Sequence, residues 1–365
     1  MIVIGVDVHK RTHTLVAVDG ITGRHLAERE VQATDAGHLD ALRFAREVDN
    51  EIVWAIEDCR HVSQRLEKAL IAAGQHVIRV PPAMTGQARK GQRLPGKSDP
   101  IDALAVARTV VREGADRFAV AFLDQNAMEI RLLHDHREQL IAERTRMINR
   151  LRFHLLVLDP ELEADLSART LDHASTQARI RGRLSKLPAG TQVRIARSEL
   201  NRVIALTKEI KSLLAELDTL TRTQSPALRS ETGCGPVTAA ILIGQTAGAQ
   251  RFGTDAKFAR QAGTAPIPAS SGNTSRYRLH RGGNRQLNKA LHVIAITKAR
   301  IDPQTRAYLD RKQAEGKSSR EALRCLKRHP ARRIWRILYT TTPTAATAPD
   351  RLTVPVGAPA LIPCT

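Results

Sequence analysis

Four carboxylates stand in this chain where packing alone would not put them. The stretch "IVIGVDV" reads as a buried strand of Ile2, Val3, Ile4, Val6 and Val8. It nevertheless carries Asp7 at its heart and His9, Lys10 and Arg11 at its end. "VWAIEDC" brings a second apolar strand to Glu57, and "SDPIDALAVAR" opens a helix with Asp99 and Asp102 three apart, on one face. A carboxylate in a strand core is costly unless something neutralises it. Hard divalent cations seek clustered carboxylate oxygens, and such ions clamp the attacking and leaving oxygens of phosphoryl transfer. Two strand ends and one helix start would supply that cage for such a cation, and the ion's charge would offset the repulsion among the acids. Each acid also has a plain structural reading. Asp99 before Pro100 looks like an N-cap with proline at the first helical position. Asp102 would complement the helix dipole, and Glu57 could be a solvated strand end. Asp7 is the hardest of the four to explain in this way.

A second set of reactive residue types lies toward the C-terminus. "PIPASSGNTS" is a polar loop of small residues, with Ser270 and Ser271 before Gly272 and with Arg276, Arg278, Arg281 and Arg285 around it. Gly282, Gly283 and Asn284 then start a helix whose Leu287, Leu291 and Ile294 face a core. A serine among arginines and a helix N-terminus suits attack on a phosphodiester, with the arginines stabilising the charge that develops. Read from the residues alone, the same stretch is a flexible Ser/Gly loop whose arginines hold DNA backbone. Upstream, Gly233 and Gly235 flank Cys234 before Pro236 and an apolar helix. A Gly-x-Gly turn feeding a helix exposes N–H groups that can hold a phosphate, as a helix-hairpin-helix element does.

The bulk properties agree with a polyanionic partner. The chain of 365 residues carries 57 Lys and Arg against 37 Asp and Glu, a net charge of +20. Such a field attracts nucleic acid. No run of about 18 apolar residues suggests a membrane span, and no signal peptide is visible, so a cytoplasmic, nucleoid-associated protein is expected. Cys59, Cys234, Cys325 and Cys364 are too scattered for a zinc site or a disulfide framework. His134 and His136, at i and i+2 of a helix, point apart.

The elements that must position these residues fall into four stretches. Residues 1–122 alternate strands and helices in the order β-β-β-α-β-α-β, which predicts a mixed sheet with flanking helices and an antiparallel start. A basic loop, "GQARKGQRLPGKS", leads into the helix that begins at Asp99. Residues 123–224 lose all strand signals. There Val203, Ile210 and Leu217 fall at a, and Leu206, Leu213 and Leu220 at d, of about three heptads. The seam fits either a parallel coiled coil between two chains or an antiparallel hairpin within one. Residues 225–340 form a basic, mainly helical unit, in which Pro330 should break or kink the last helix. Residues 341–365, rich in Thr, Ala and Pro, read as a disordered tail.

The motifs "GVDVHK", "AIEDC" and "KSDPIDALAVAR", in this order, resemble the DEDD transposases of bacterial insertion sequences, the family named after insertion sequence 110. "AGTAPIPASSGNTSRYRLHRGGNRQLNKALH" and "GKSSREALRCLKRHPARRIWRIL" are similar to that family's C-terminal transposase domain. The resemblance covers roughly residues 1–340. It implies an N-terminal RuvC-like domain of ribonuclease-H type, with the four acids on Asp7, Glu57, Asp99 and Asp102 holding Mg²⁺. It places the nucleophilic serine directly before the loop glycine, at Ser271, with Ser270 as the neighbour to which the assignment could slip. It further implies a transposase that cleaves and exchanges DNA strands at element ends and target. Its subunits would pool their half-sites as a dimer or tetramer, and an element-encoded RNA guides some members. Two other functions fit the residues. One is a metal-dependent hydrolytic nuclease of the Holliday-junction-resolvase type, with water as nucleophile. The other is a non-catalytic nucleic-acid-binding protein.

Overall fold

The computed structural model describes residues 1–57, 60–82, 84–85, 98–121, 124–167, 170–269, 277–280 and 282–341. Ser270, Ser271, Arg276, Arg281, Cys59, Cys364, most of the basic loop before Asp99 and the tail after 341 lie outside them.

The chain opens with three antiparallel strands, β1 (Ile2–Val8), β2 (Thr12–Asp19) and β3 (His25–Gln32). Helix α1 (Asp35–Val48) then crosses to β4 (Ile52–Glu57), and α2 (Arg60–Ala72) to β5 (His76–Val80). β4 pairs parallel to β1, and β5 parallel to β4. The sheet order is β3-β2-β1-β4-β5, closed by a two-residue β6 (Ala119–Val120) antiparallel to β5. This is the mixed sheet with flanking helices expected. β6 was not legible, because two residues have no periodicity and only their pairing with Arg79 and Ile78 defines them.

β1 is central, and its alternation splits the core in two. Ile2, Ile4, Val6 and Val8 join Trp54, Ile56, Phe44, Leu66 and Leu70 under α1 and α2. Val3, with Val53, Ala55 and Ile78, faces α3 (Asp99–Glu113) through Ala103, Val106, Ala107 and Val110. Gly5 lies on the α3 face. A Cβ there would stand 2.1 Å from the Ala103 carbonyl oxygen and 2.6 Å from the Ala107 nitrogen. Glycine on the strand and alanines on the helix thus let backbone meet backbone.

Helix α4 (Gln125–Leu158) follows the sheet. After α5 (Pro160–Ala164) and α6 (Ala174–Lys186), α7 (Thr191–Gln224) returns along α4. Asn126 donates to Gln224 at one end, and Arg144 to the Thr207 hydroxyl nearer the other. The pairing is therefore antiparallel and within one chain, the hairpin alternative. Val203, Ile210 and Leu217 are buried as expected, but Leu206, Leu213 and Leu220 are only half-buried. Thr207 and Thr221 take the second row instead. Their hydroxyls donate to the carbonyls of Val203 and Leu217, each at 2.7 Å, which leaves their methyl groups free to pack. Leu151, Leu155, Ile180, Leu184, Ala196 and Leu200 form a separate small core at the far end of the hairpin. His134 is buried while His136 reaches Glu209, so the two do point apart.

The C-terminal core is built on α9 (Pro236–Thr246), which follows the one-turn α8 (Pro226–Arg229) and is buried from Thr238 to Thr246. Around it pack α10 (Asp255–Gln261), α11 (Arg285–Ile301) and α13 (Ser319–Thr341), while α12 (Pro303–Ala314) lies outside the core against α11 and α13. Ala127, Ile130 and Leu217 from the base of the hairpin share this core. α13 runs through Pro330 without a break. Both sides of the proline are anchored, which holds the helix across the missing hydrogen bond: Lys327 donates to Asn288 at 2.8 Å, and Trp335 donates to the Phe252 carbonyl at 3.0 Å. Between α10 and α11, β7 (Ile267–Pro268) pairs with β8 (Tyr277–Arg278). Among the described residues, Cys234 and Cys325 are free thiols, and no helix is long and apolar enough to cross a membrane.

Candidate active site

The acids gather at the carboxyl ends of the parallel strands, where open α/β sheets place their ligand sites. Val6 pairs with Ile56, so one step further Asp7 and Glu57 stand at the ends of neighbouring strands. They share the face that α3 covers. The close approach at Gly5 sets the first turn of α3 above those ends. α3 does not start as its sequence suggests. Ser98 is the N-cap, without a side-chain bond to the helix, and the Asp102 N–H donates to the Ser98 carbonyl at 3.0 Å. Asp99 is therefore the first helical residue. Among the described residues its carboxylate makes no capping bond, and it turns toward His9 at the end of β1.

There it meets Asp7 through His9. His9 Nε2 lies 3.1 Å from Asp7 Oδ2 and 3.4 Å from Asp99 Oδ1. One ligand atom from each of Asp7, His9 and Asp99 falls within 4.8 Å of the others, and among the described residues no second such group occurs. Burial pushes the Asp7 carboxyl above its ordinary range. His9 opposes that shift, while the charges of Asp102 and Asp99 add to it. Asp7 therefore feels both helix acids as negative charge, although Asp102 stands outside the three-residue group. Glu57 does too, and its Oε1 accepts a 2.6 Å hydrogen bond from the Thr85 hydroxyl.

These residues fit a hard divalent cation. Mg²⁺ is held by one or two carboxylates together with substrate phosphates and water, and needs no complete protein cage. Asp7 and Asp99 could provide the carboxylates. Asp99 and His9 are about half exposed, which leaves a side open for a phosphate. His9 went unrecognised as a site residue because it was read with Lys10 and Arg11 as a basic strand end. The usable signal was its i,i+2 spacing from Asp7, which puts both on one face of an extended chain. An imidazole among the ligands is compatible with Mn²⁺ as well.

The C-terminal candidates occupy several roles. Asn284 is the N-cap of α11, accepting from the N–H groups of Gln286 and Leu287 and donating to Gln245 Oε1 at 2.9 Å. Its side chain is thus engaged within the fold. Arg285 follows it, exposed at the helix start, and Arg278 is exposed on β8. Gly235 caps α9 in open surroundings, as a phosphate-accepting turn requires. Gly233 serves packing: at φ +83°, a Cβ there would lie 3.0 Å from Thr297 and 3.1 Å from the Ile294 Cα.

Comparison with known proteins bears on both halves. A family model described as "Transposase", of the DEDD type, matches residues 4–160. A second, "Transposase IS116/IS110/IS902 family", matches residues 225–310. An uncharacterized 44.8 kDa protein of insertion element IS116 from Streptomyces clavuligerus is 29% identical, over 92% of this chain and 94% of its own. The 42 kDa protein of IS900 from Mycobacterium paratuberculosis is 27% identical, over 94% and 98%. The 43.6 kDa protein of IS110 from Streptomyces coelicolor is 30% identical, over 64% and 68%. Among solved structures, Thermus thermophilus RuvC in complex with a Holliday junction substrate aligns with 33% of this chain and 99% of its own, at 19% identity and a TM-score of 0.26. With transposase models matching both halves in order, and insertion-element proteins aligned along nearly the whole length, the chain belongs to the IS116/IS110/IS902 family of DEDD transposases, enzymes that cleave and recombine DNA.

Proposed function

We propose that the chain cuts and rejoins DNA strands at the ends of its element and at a target. In this reading Asp7, Glu57, Asp99 and Asp102 hold Mg²⁺ or Mn²⁺, and Ser271 is the covalent nucleophile. The observation that supports it most directly is the convergence of Asp7, Asp99 and His9 at the strand ends, with the charge of Asp102 acting on Asp7. A divalent cation there supplies positive charge to the oxygens of a phosphodiester undergoing displacement.

The protein's own groups do the rest. Asp7 and Asp99 bind, Glu57 is oriented by Thr85, and His9 bridges the two nearest carboxylates when no cation is bound. Ser271 Oγ forms a bond to phosphorus as the bond from phosphorus to one bridging oxygen breaks, and the serine proton ends on the departing strand's oxygen. A hydroxyl of another strand then attacks the serine ester, restores a phosphodiester and returns the serine. The ester conserves the bond that hydrolysis would lose, so strands rejoin without an external energy source. Arg276, Arg278 and Arg281 hold the charge of the phosphate in flight.

The metal-binding and serine-bearing parts come together within an assembly of more than one chain, a dimer or tetramer acting on DNA in the cytoplasm with an element-encoded RNA as guide. The seam of α7 is occupied within the chain. Phe153, Leu156 and Val157, all more than half exposed near the end of α4, offer a separate apolar surface for association.

The test is a denaturing gel for a covalent protein–DNA adduct, using Mg²⁺, cognate element ends and the element's RNA. Ser271→Ala should lose adduct and recombination but keep binding, while Ser270→Ala should be milder. Asp7→Ala and Asp102→Ala should abolish recombination with binding retained. Metal-dependent cleavage without any adduct would mean a water nucleophile, as in a hydrolytic resolvase. No cleavage under any of these conditions would leave a non-catalytic nucleic-acid-binding protein.

A further inference from the structure

A cavity of about 730 Å³ opens beneath the short β7–β8 ladder, lined by Tyr277 and Arg278 from the ladder and by Lys317, Arg324, Lys327 and Arg328 from the start of α13 and the loop before it. Its size lies within the roughly 300–1,000 Å³ of built ligand pockets. Its floor is unusual. Lys327 is 6% exposed, and its ammonium donates one hydrogen bond, 2.8 Å to Asn288 Oδ1. Asn288 cannot turn away, because its amide nitrogen donates to the carbonyls of Ala262 and Gly263, both at 3.0 Å. Among the described residues no carboxylate pairs with Lys327. The two carboxylates on the cavity wall pair with cations other than Lys327: Glu315 with Lys312 at 2.8 Å and Lys317 at 3.7 Å, and Glu321 with Arg324 at 3.6 Å, besides accepting from the Ser318 hydroxyl at 2.8 Å. An ammonium has three donors, so two of those on Lys327 stand without an anionic partner among the described residues.

A buried charge without a counterion is costly. Burial, and the charge of Arg324 beside it, hold the Lys327 ammonium below its ordinary range. An anion entering the cavity would reverse both effects. Tyr277 and Arg278 of β8, on the cavity wall, follow directly in sequence the segment that carries Ser271.

We propose that this cavity is a subsite for a backbone phosphate of the DNA strand, with Lys327 as its buried cation and Arg278, Arg324 and Arg328 as its walls. Its assignment to the strand under attack rests on the role proposed for Ser271; its taking a phosphate does not.

The experiment measures binding of a short labelled DNA duplex to the full chain by fluorescence anisotropy across a salt series. Lys327→Gln keeps a donor for Asn288 and removes the charge. It should reduce the slope of log K against log salt by about one phosphate contact, roughly 0.9 for duplex DNA. Arg324→Gln, at a half-buried position, should lower the slope in the same way, and it carries the test alone if Lys327→Gln lowers the melting temperature sharply. Unchanged slopes in folded variants would overturn the proposal. So would a loss confined to a single-stranded RNA of the same sequence, which would give the pocket to RNA. Inorganic phosphate that raises the melting temperature of wild type and not of Lys327→Gln, with the DNA slope unmoved, would mean a free-phosphate site and would also overturn it. Adduct formation is scored separately. An altered slope without any adduct in wild type keeps the pocket and refutes the serine mechanism, and a wild-type adduct with unaltered slopes does the reverse.

Discussion

Replacing Gly5 by alanine tests whether the approach of α3 to β1 sets the metal site. The added Cβ would meet three atoms of α3: the Ala103 oxygen at 2.1 Å, the Ala107 nitrogen at 2.6 Å and the Ala107 Cβ at 2.8 Å. Two are backbone, so no rotamer change relieves the clash. Ordinary contact begins near 3.4 Å, and the helix must therefore lift by about 1 Å, as overpacked cores do at a cost of ~1–3 kcal/mol. Asp99 and Asp102 ride on the first turn of that helix, whereas Asp7, His9 and Glu57 stay with the sheet. Misplacement of about 1 Å in a reacting constellation costs on the order of 10²-fold. Gly5→Ala should thus lower Mg²⁺-dependent strand cleavage about a hundredfold while the chain stays folded and binds DNA normally. Gly182→Ala, in a helix with nothing within 4 Å of its new Cβ, is the matched control. It should leave cleavage unchanged and add roughly 0.5–1 kcal/mol of stability. Cleavage by folded Gly5→Ala at the wild-type rate would refute the positioning argument.

Asp7→Asn should raise the melting temperature in EDTA, because burial and neighbouring acids disfavour the ionised Asp7. Wild type should gain ~2.7 kcal/mol from Mg²⁺ at a hundredfold excess over its dissociation constant, and the variant much less; equal gains would exclude Asp7 as a ligand. His13 is buried, stacked on His38 at 5.6 Å, and held down to about 4 from an ordinary 6.5 by burial and the His38 charge. The unfolded chain then takes up the proton first on acidification. Stability should be full above pH about 6.5 and fall toward pH about 4, and His13→Phe should flatten that profile in thermal melts. Ile210→Asp would bury a charge against α4 and should destabilise the chain by several kcal/mol. Phe153→Asp should leave the melting temperature alone and shift sedimentation toward the monomer; the opposite pattern would return the seam of α7 to an intersubunit role.

Much of the sheet was legible because its strands are buried on both sides, so that Ile2–Val8 and Ile52–Glu57 read as apolar runs interrupted only by the acids. The gathering of Asp7 and Asp99 followed from a strand end and a helix start, the two places where a few residues determine direction. The faults lie where local patterns compete with tertiary contacts. Asp-Pro looked like a cap, yet Ser98 holds that position and frees Asp99. Leucines marked the d row of α7, but back-bonded Thr207 and Thr221 pack as well as apolar residues, so the seam runs through them. Pro330 was expected to end a helix that Lys327 and Trp335 hold together on either side. The loose cation at Lys327 had no sequence signature, because it is defined by carboxylates that pair elsewhere.

The shared core at the base of the hairpin bears on how the protein is made. Strands β1 to β6 and α3 lie within the first 120 residues, and the acids can be assembled once these emerge. Ala127 and Ile130 then wait for Ala331, Ile334 and Leu338, which complete the core they share. At ~5–20 residues per second, the roughly 200 residues between them take ~10–40 s to synthesise. For that interval the nascent chain presents an acid cluster without a finished C-terminal half, and an apolar helix face without its cover. The shared core can therefore close only after α13 has been synthesised, so the base of the hairpin is the last part of the N-terminal region to be covered.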